Sequence, residues 1–163
     1  MKIGLLSDTH GSLDEKVFHH FDECDEIWHA GDVGDLAIIK ALEDFKPLKA
    51  VHGNIDGQEV RQYCPEDLHF TCEGVSIFLT HIASKPPFFT PRVRSILQDK
   101  KPDVLVCGHT HILRVVKHKD IWYLNPGACG YFGFHTVRTL LRFEVSEGEL
   151  RHMEVIELGP NRH

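Results

Sequence analysis

Five short apolar runs in this sequence break off at aspartate, asparagine or histidine, four of them with glycine alongside. Residues 3–6 lead into Ser-Asp8-Thr-His10-Gly, and residues 26–30 into Gly-Asp32-Val-Gly-Asp35. Residues 48–52 lead into Gly-Asn54-Ile55-Asp56-Gly, residues 75–80 into His81, and residues 104–107 into Gly-His109-Thr-His111. Apolar runs of this length, closed by turn chemistry, read as buried strands. In open α/β sheets, ligands bind outside the carboxyl ends of strands. The pattern therefore predicts a rigid platform of strand ends with its polar residues aimed at one point. The glycines allow tight turns and close backbone approach to a bound group.

The segments between the runs fill in the fold. Helical apolar spacing at Leu13, Val17 and Phe21 predicts a helix over 13–21, and the same spacing recurs over 36–45 before Pro47. Strand, helix, strand, helix, strand implies parallel strands with right-handed crossovers. Residues 68–72 and 75–80 then read as a hairpin about Glu73-Gly74. Thr90 can cap a helix that starts at Pro91 and runs to about Lys100. Residues 112–117 and 121–124 form a second expected hairpin, and 137–145 with 149–157 a third. So many strands are buried most simply by two mixed sheets face to face, with helices outside.

Composition narrows the class. A chain of 163 residues can build a full core in one domain. Its five scattered cysteines contain no Cys-x-x-Cys pair, which argues against a disulfide framework and against a thiolate zinc site. No run approaches the roughly 20 apolar residues that span a bilayer. No charged leader precedes an apolar segment at the N-terminus, so a cytoplasmic protein is expected. The formal net charge of −6 and the short, scattered basic clusters disfavour long nucleic acid as a partner.

The candidate set is Asp8, His10, Asp32, Asn54, His81, His109 and His111. Two carboxylates, one amide and four imidazoles suit Zn, Mn, Fe, Co or Ni, and are too nitrogen-rich for calcium. Seven ligands exceed what one open catalytic ion takes but suit two, with one carboxylate bridging. Asn54 has a second reading as a turn residue, because Asn-x-Asp-Gly is good turn chemistry.

At these motifs the chain resembles the calcineurin-like metallophosphoesterases, whose pattern is D-x-H, G-D-x-x-D, G-N-H-[DE], a lone H, and G-H-x-H. The NPGACG stretch at 125–130 and the chain length resemble the small phosphodiesterase branch of that family. The resemblance implies a four-layer α/β/β/α sandwich as a single domain over residues 1–163. It implies that Asp8, His10, Asp32 and His111 hold one divalent ion. Asp32, Asn54, His81 and His109 would hold the other, with Asp32 bridging. It further implies that a hydroxide between the ions attacks phosphorus in line, and that Asp35 and Asp56 orient ligands from behind. There are two departures. Ile55 stands where the family motif has a proton-donating histidine, and His81-Ile82-Ala83 stands where many relatives have His-Gly-His. The first favours diesters of small molecules over simple monoesters. One rival reading is a protein-binding scaffold of the same fold, as in the retromer subunit of this family. Another is a nuclease acting on short oligonucleotides. The small relatives also make a homo-oligomer a possible state.

Other residues carry open readings. His135 could reach a substrate phosphate. The stretch from Lys85 to Pro91 could cap the site, bind a partner or anchor in the core through Phe88 and Phe89. His29 is expected to be buried, and His52 to line the rim or pack in its strand. Cys107 and Cys129 read as small apolar fillers. His19, His20, His69, His118, His152 and His163 read as surface residues.

Overall fold

Alternation along the first strand decides the layering. In the computed structural model, which describes residues 1–161, Ile3 and Leu5 face one core and Leu6 another. His163 lies outside the described residues. The elements, in chain order, are β1 (Lys2–Leu6), α1 (Lys16–His20), β2 (Glu26–His29), α2 (Leu36–Phe45), β3 (Leu48–Ala50) and α3 (Gln58–Tyr63). There follow β4 (Asp67–Cys72), β5 (Val75–Thr80), β6 (Ser84–Lys85), β7 (Phe88–Phe89), α4 (Pro91–Lys100) and β8 (Val104–Val106). The last are β9 (Arg114–His118), β10 (Ile121–Asn125), β11 (Val137–Ser146) and β12 (Glu149–Pro160).

Two five-stranded mixed sheets result, ordered β12-β11-β1-β2-β3 and β4-β5-β8-β10-β9. β1, β2 and β3 run parallel, as do β5, β8 and β10, while β11, β12, β4 and β9 pair antiparallel. The central core joins Ile3, Leu5, Trp28 and Phe143 of one sheet to Ile77, Leu79, Val104 and Val106 of the other. Leu6, Ile27 and Leu140 cover the outer face of the first sheet and pack on Val17, Ile39 and Leu42 of α1 and α2. Phe78, Leu105 and Tyr123 pack on Val93 and Leu97 of α4. The chain is a four-layer α/β/β/α sandwich.

Several local expectations need correction. The first helix covers only Lys16–His20, although Leu13 and Phe21 still pack in the same core. Phe21 lies so close to Gly4 that a Cβ there would sit 2.6 Å from its ring. Helix α3 has no apolar stripe, since Val60 is its only buried residue, so periodicity gives no signal for it. The Lys85–Pro91 stretch holds a two-stranded hairpin, β6 with β7. Within it Phe89 is a core anchor and Phe88 is exposed.

Candidate metal centre

The strand ends do converge, and backbone hydrogen bonds zip their loops together. Asp8 donates its N–H to Gly31 O (2.9 Å), and His10 its N–H to Asp32 O (3.0 Å). Gly108 donates to His81 O (3.0 Å), and Gly130 to Asp8 O (3.0 Å). Two glycines are required by close packing. A Cβ at Gly108 would strike Ser7 Oγ and Asp8 Oδ2, and one at Gly53 would strike the Asp32 carboxylate. Five of the candidate ligands hold left-handed backbone: Asp8 (φ 55°), His10 (46°), Asp32 (54°), His109 (70°) and His111 (61°). That conformation disfavours non-glycine residues by about 1–2 kcal/mol each. Strain of this kind persists where the surroundings over-determine it, and it clusters at functional sites.

The side chains form two groups, Asp8 with His10 and His111, and Asp32 with His81 and His109. Asp32 lies between them, with Oδ2 3.4 Å from His10 Nε2 and Oδ1 3.2 Å from His81 Nε2. Asn54 Oδ1 joins the second group, 3.0 Å from His109 Nδ1.

Ring orientations follow from the partners. His81 Nδ1 lies 2.7 Å from Ala30 O and donates to it, which turns Nε2 towards Asp32 Oδ1, 3.2 Å away; burial disfavours the charged ring, yet Asp32 and Asp8 raise its pKa. His135 Nε2 lies 2.8 Å from Gly130 O and must donate to it. Its Nδ1 lies 3.2 Å from His111 Nδ1, which turns His111 Nε2 towards Asp8 Oδ1, 3.1 Å away. At both places an imidazole nitrogen faces a carboxylate oxygen, a contact that a bound cation or a proton on the ring satisfies. Consistent with this, Asp8 Oδ1, His10 Nε2 and His81 Nε2 are three of the four buried side-chain polar atoms without a hydrogen-bond partner among the described residues. Native interiors rarely leave such atoms unpaired. The donor set and its orphaned atoms fit a pair of divalent ions.

Electrostatics point the same way. Burial pushes Asp8 up, but His10, His111, His81 and Ser7 together hold it well below the usual carboxylate range. Burial likewise opposes ionisation of Asp32, and its contacts with His10 and His81 outweigh it. His10 is disfavoured as a cation by burial, yet Asp32 and Asp8 raise it to about 9. The ionised Asp8 and Asp32 concentrate negative charge that the neighbouring imidazoles, or a bound cation, balance.

The surrounding residues sort by what they touch. Asp8 Oδ2 accepts from Ser7 Oγ (2.6 Å) and from His109 N–H (3.1 Å), which turns Oδ1 into the site. Buried Asp56 accepts from the N–H groups of Val33 (3.1 Å), Gly34 (2.8 Å) and Gly53 (2.7 Å), tying two ligand loops together. Asp35 does not act with it. Its exposed carboxylate accepts from Ala37 N–H (2.9 Å) and caps α2. Both ring nitrogens of His135 face Gly130 O and His111, so its place is behind a ligand. His52 Nδ1 donates to Cys64 O (2.8 Å). Asn125, from the NPGACG stretch, donates to Gly108 O (3.0 Å) and Thr110 Oγ1 (3.1 Å), bracing the His109–His111 loop. Burial pushes Cys107 and Cys129 up to about 12, so neither is a nucleophile.

Two contributors escape sequence reasoning. Arg61, on α3, donates to Asp56 O, Gly53 O and Asn54 O and clamps the Asn54 loop. Buried His29 accepts Gly31 N–H at Nδ1 (3.1 Å) and donates from Nε2 to Thr9 Oγ1 (3.0 Å), joining the first two ligand loops. A strand histidine two residues before a glycine-aspartate turn was the only signal for His29.

A sandwich of two mixed sheets that gathers paired Asp, His and Asn ligands at its strand ends defines a class, and the comparisons agree. Residues 1–148 match the calcineurin-like phosphoesterase superfamily domain, and the chain belongs to that family. A probable metallophosphoesterase of Methanothermobacter thermautotrophicus is 34% identical over 136 residues, covering 78% of this chain and 77% of the relative. Phosphodiesterase YfcE of Escherichia coli is 33% identical over 155 residues, covering 78% and 79%. Vps29 of Chaetomium thermophilum superposes with a TM-score of 0.77 at 17% identity, covering 97% of each chain, a likeness of fold alone. None of the helices among the described residues is long and apolar enough to cross a membrane.

Proposed function

We propose that this chain is a phosphodiesterase of small-molecule diesters that works with two divalent transition-metal ions. The observation that carries the proposal is the gathering of Asp8, His10 and His111 and of Asp32, His81 and His109 into two groups, with Asp32 in contact with both His10 and His81. Asp8, His10, Asp32 and His111 would hold one ion, and Asp32, Asn54, His81 and His109 the other. When bound, such ions supply an acidified water as nucleophile and neutralise phosphate oxygens.

The chain's own residues set the limits of the reaction. Ala30 O and His135 hold the rings of His81 and His111 by Nδ1, so that Nε2 of each is turned towards the candidate centre. Asp56, Arg61 and Asn125 hold the ligand loops in place. Ile55 follows Asn54 and has no proton to give a leaving oxygen. A simple alkyl monoester therefore forgoes general-acid help worth about 10²–10⁴-fold. Diesters with good leaving groups need it least.

The test is to strip the protein with chelator, reload it with Mn, Ni, Zn, Co or Mg, and compare a nitrophenyl diester with the matching monoester. We expect metal-restored diester cleavage, a much weaker monoester rate, and loss of both in His81→Ala and Asp32→Asn. Turnover with none of the metals, despite two bound ions, would reject the phosphodiesterase reading.

A further inference from the structure

Five of the ten exposed large apolar side chains among the described residues stand next to a candidate ligand in the sequence or on the turn that stacks against one. Ile55 follows Asn54, Ile82 follows His81 and Ile112 follows His111. Phe132 stacks on His10, with ring centroids 5.0 Å apart and planes 29° apart. Phe134 lies two residues beyond. Phe132 is 66% exposed, and Phe134 as exposed as a free side chain. Scattered surface hydrophobics mean nothing, but a contiguous patch beside a reactive centre marks a binding site.

The loop that carries the two phenylalanines is firmly built. The Arg138 guanidinium sits 4.1 Å over the Tyr131 ring, and Asp14 holds that guanidinium at 3.0 Å. Asn161 Nδ2 donates to Gly133 O (3.2 Å) and His135 O (2.9 Å). A side chain at Gly133 would run into the rings of His111 and His135, so the turn is pressed against a candidate ligand. With the backbone fixed, Phe134 and the outer face of Phe132 are held in solvent. They border a cavity of about 630 Å³, within the range of small-ligand sites. The cavity beside the other group, next to Asn54 and His81, is different in kind, lined by Arg61, Glu66, Thr80 and Arg92.

We propose that the Phe132–Phe134 turn is the subsite for one ester arm of the substrate, and that this arm is a flat aromatic ring, an aryl group or a nucleobase. The proposal rests on the phosphodiesterase reading and narrows its substrate class. Phe132 is one ring away from a candidate ligand, so a ring on its outer face is within reach for one arm of a molecule held at the centre. Two phenylalanines are far short of the roughly 800 Å² per partner that a stable protein interface buries. The net charge of −6 provides no backbone-tracking surface for a long nucleic acid strand. Stacking on aromatic side chains suits a single ring system.

The test is calorimetric titration of the Mn-loaded protein with inorganic phosphate, methyl phosphate, phenyl phosphate and adenosine 5′-phosphate. It reads affinity and needs no turnover. At least one of the two aromatic ligands should bind roughly 10-fold tighter than methyl phosphate, and which one does so distinguishes aryl from nucleobase. Phe134→Ala should remove most of that gain and leave methyl phosphate binding unchanged. Phe134 is fully exposed, so this variant should fold as the parent does. Equal affinity for all the esters, or a gain that Phe134→Ala and Phe132→Leu both retain, would overturn the proposal. So would a dimer in sedimentation that Phe134→Ala dissolves, since the patch would then be an interface between copies. If inorganic phosphate itself fails to bind, the phosphodiesterase reading falls, and the subsite with it.

Discussion

Replacing Asp56 by asparagine should loosen the site without touching a candidate ligand. The carboxylate accepts three backbone N–H groups from two loops, Oδ2 from Val33 and Gly53 and Oδ1 from Gly34. Asparagine offers one acceptor oxygen where aspartate offers two. If its amide nitrogen takes the Oδ1 position, the Gly34 bond is lost; if it takes the Oδ2 position, two bonds are lost. Either way a donor then faces a donor, in a place that is only 4% exposed. The bonds that survive also lose their charge. Losing one charge-assisted bond costs about 1.5–3 kcal/mol, and the stranded N–H adds to it. A total near 3 kcal/mol is expected, which for a domain of this size lowers the melting temperature by about 6–12 °C. Scanning calorimetry in chelator measures this apart from any metal contribution. The variant should also bind metal more weakly, because the Gly31–Gly34 and Gly53–Asp56 loops lose their tie. A melt within about 1 °C of the parent would show that the three bonds do not hold these loops.

Three further outcomes follow from the same geometry. Burial pushes His29 down to about 4, despite the opposing pull of Asp8 and Asp56. The unfolded chain therefore takes up a proton near pH 6.5 that the folded chain refuses, and stability should fall as pH drops from about 6.5 towards 4, by up to about 1.4 kcal/mol per unit. Urea midpoints at pH 7 and pH 5 should show this loss and His29→Gln should reduce it; an identical loss in the variant would clear His29. Gly108→Ala drives a methyl group into Ser7 and into Asp8 Oδ2 at 2.7 Å, so it should destabilise by about 1–3 kcal/mol and weaken metal binding in calorimetric titration. Gly4→Ala presses on the buried Phe21 ring instead, so it should cost similar stability and leave metal affinity intact.

The candidate ligands were legible because each sits where hydrophobic periodicity breaks at a strand end. Those breaks are local, and the sheet order that gathers them follows from the alternation of strands and helices. Helix α3 was hidden because one buried residue makes no period. Its Arg61 was hidden with it, since a surface arginine on an unrecognised helix looks like any other. Asp35 and Asp56 look alike in sequence, each three or fewer residues beyond a glycine turn, yet one caps a helix and the other binds two loops. Which backbone donors a carboxylate meets is decided by tertiary packing, to which local pattern is blind. The same holds for His135, whose role depends on His111, 24 residues away. Phe132 was visible as a lone aromatic, but only the fold stacks it on His10.

The most direct test of the central claim is anomalous diffraction from crystals of the Mn-loaded protein. Two manganese peaks are predicted, one bounded by Asp8, His10 and His111 and the other by Asn54, His81 and His109, with the Asp32 carboxylate touching both. A single peak, or peaks lying away from Asp32, would contradict the account.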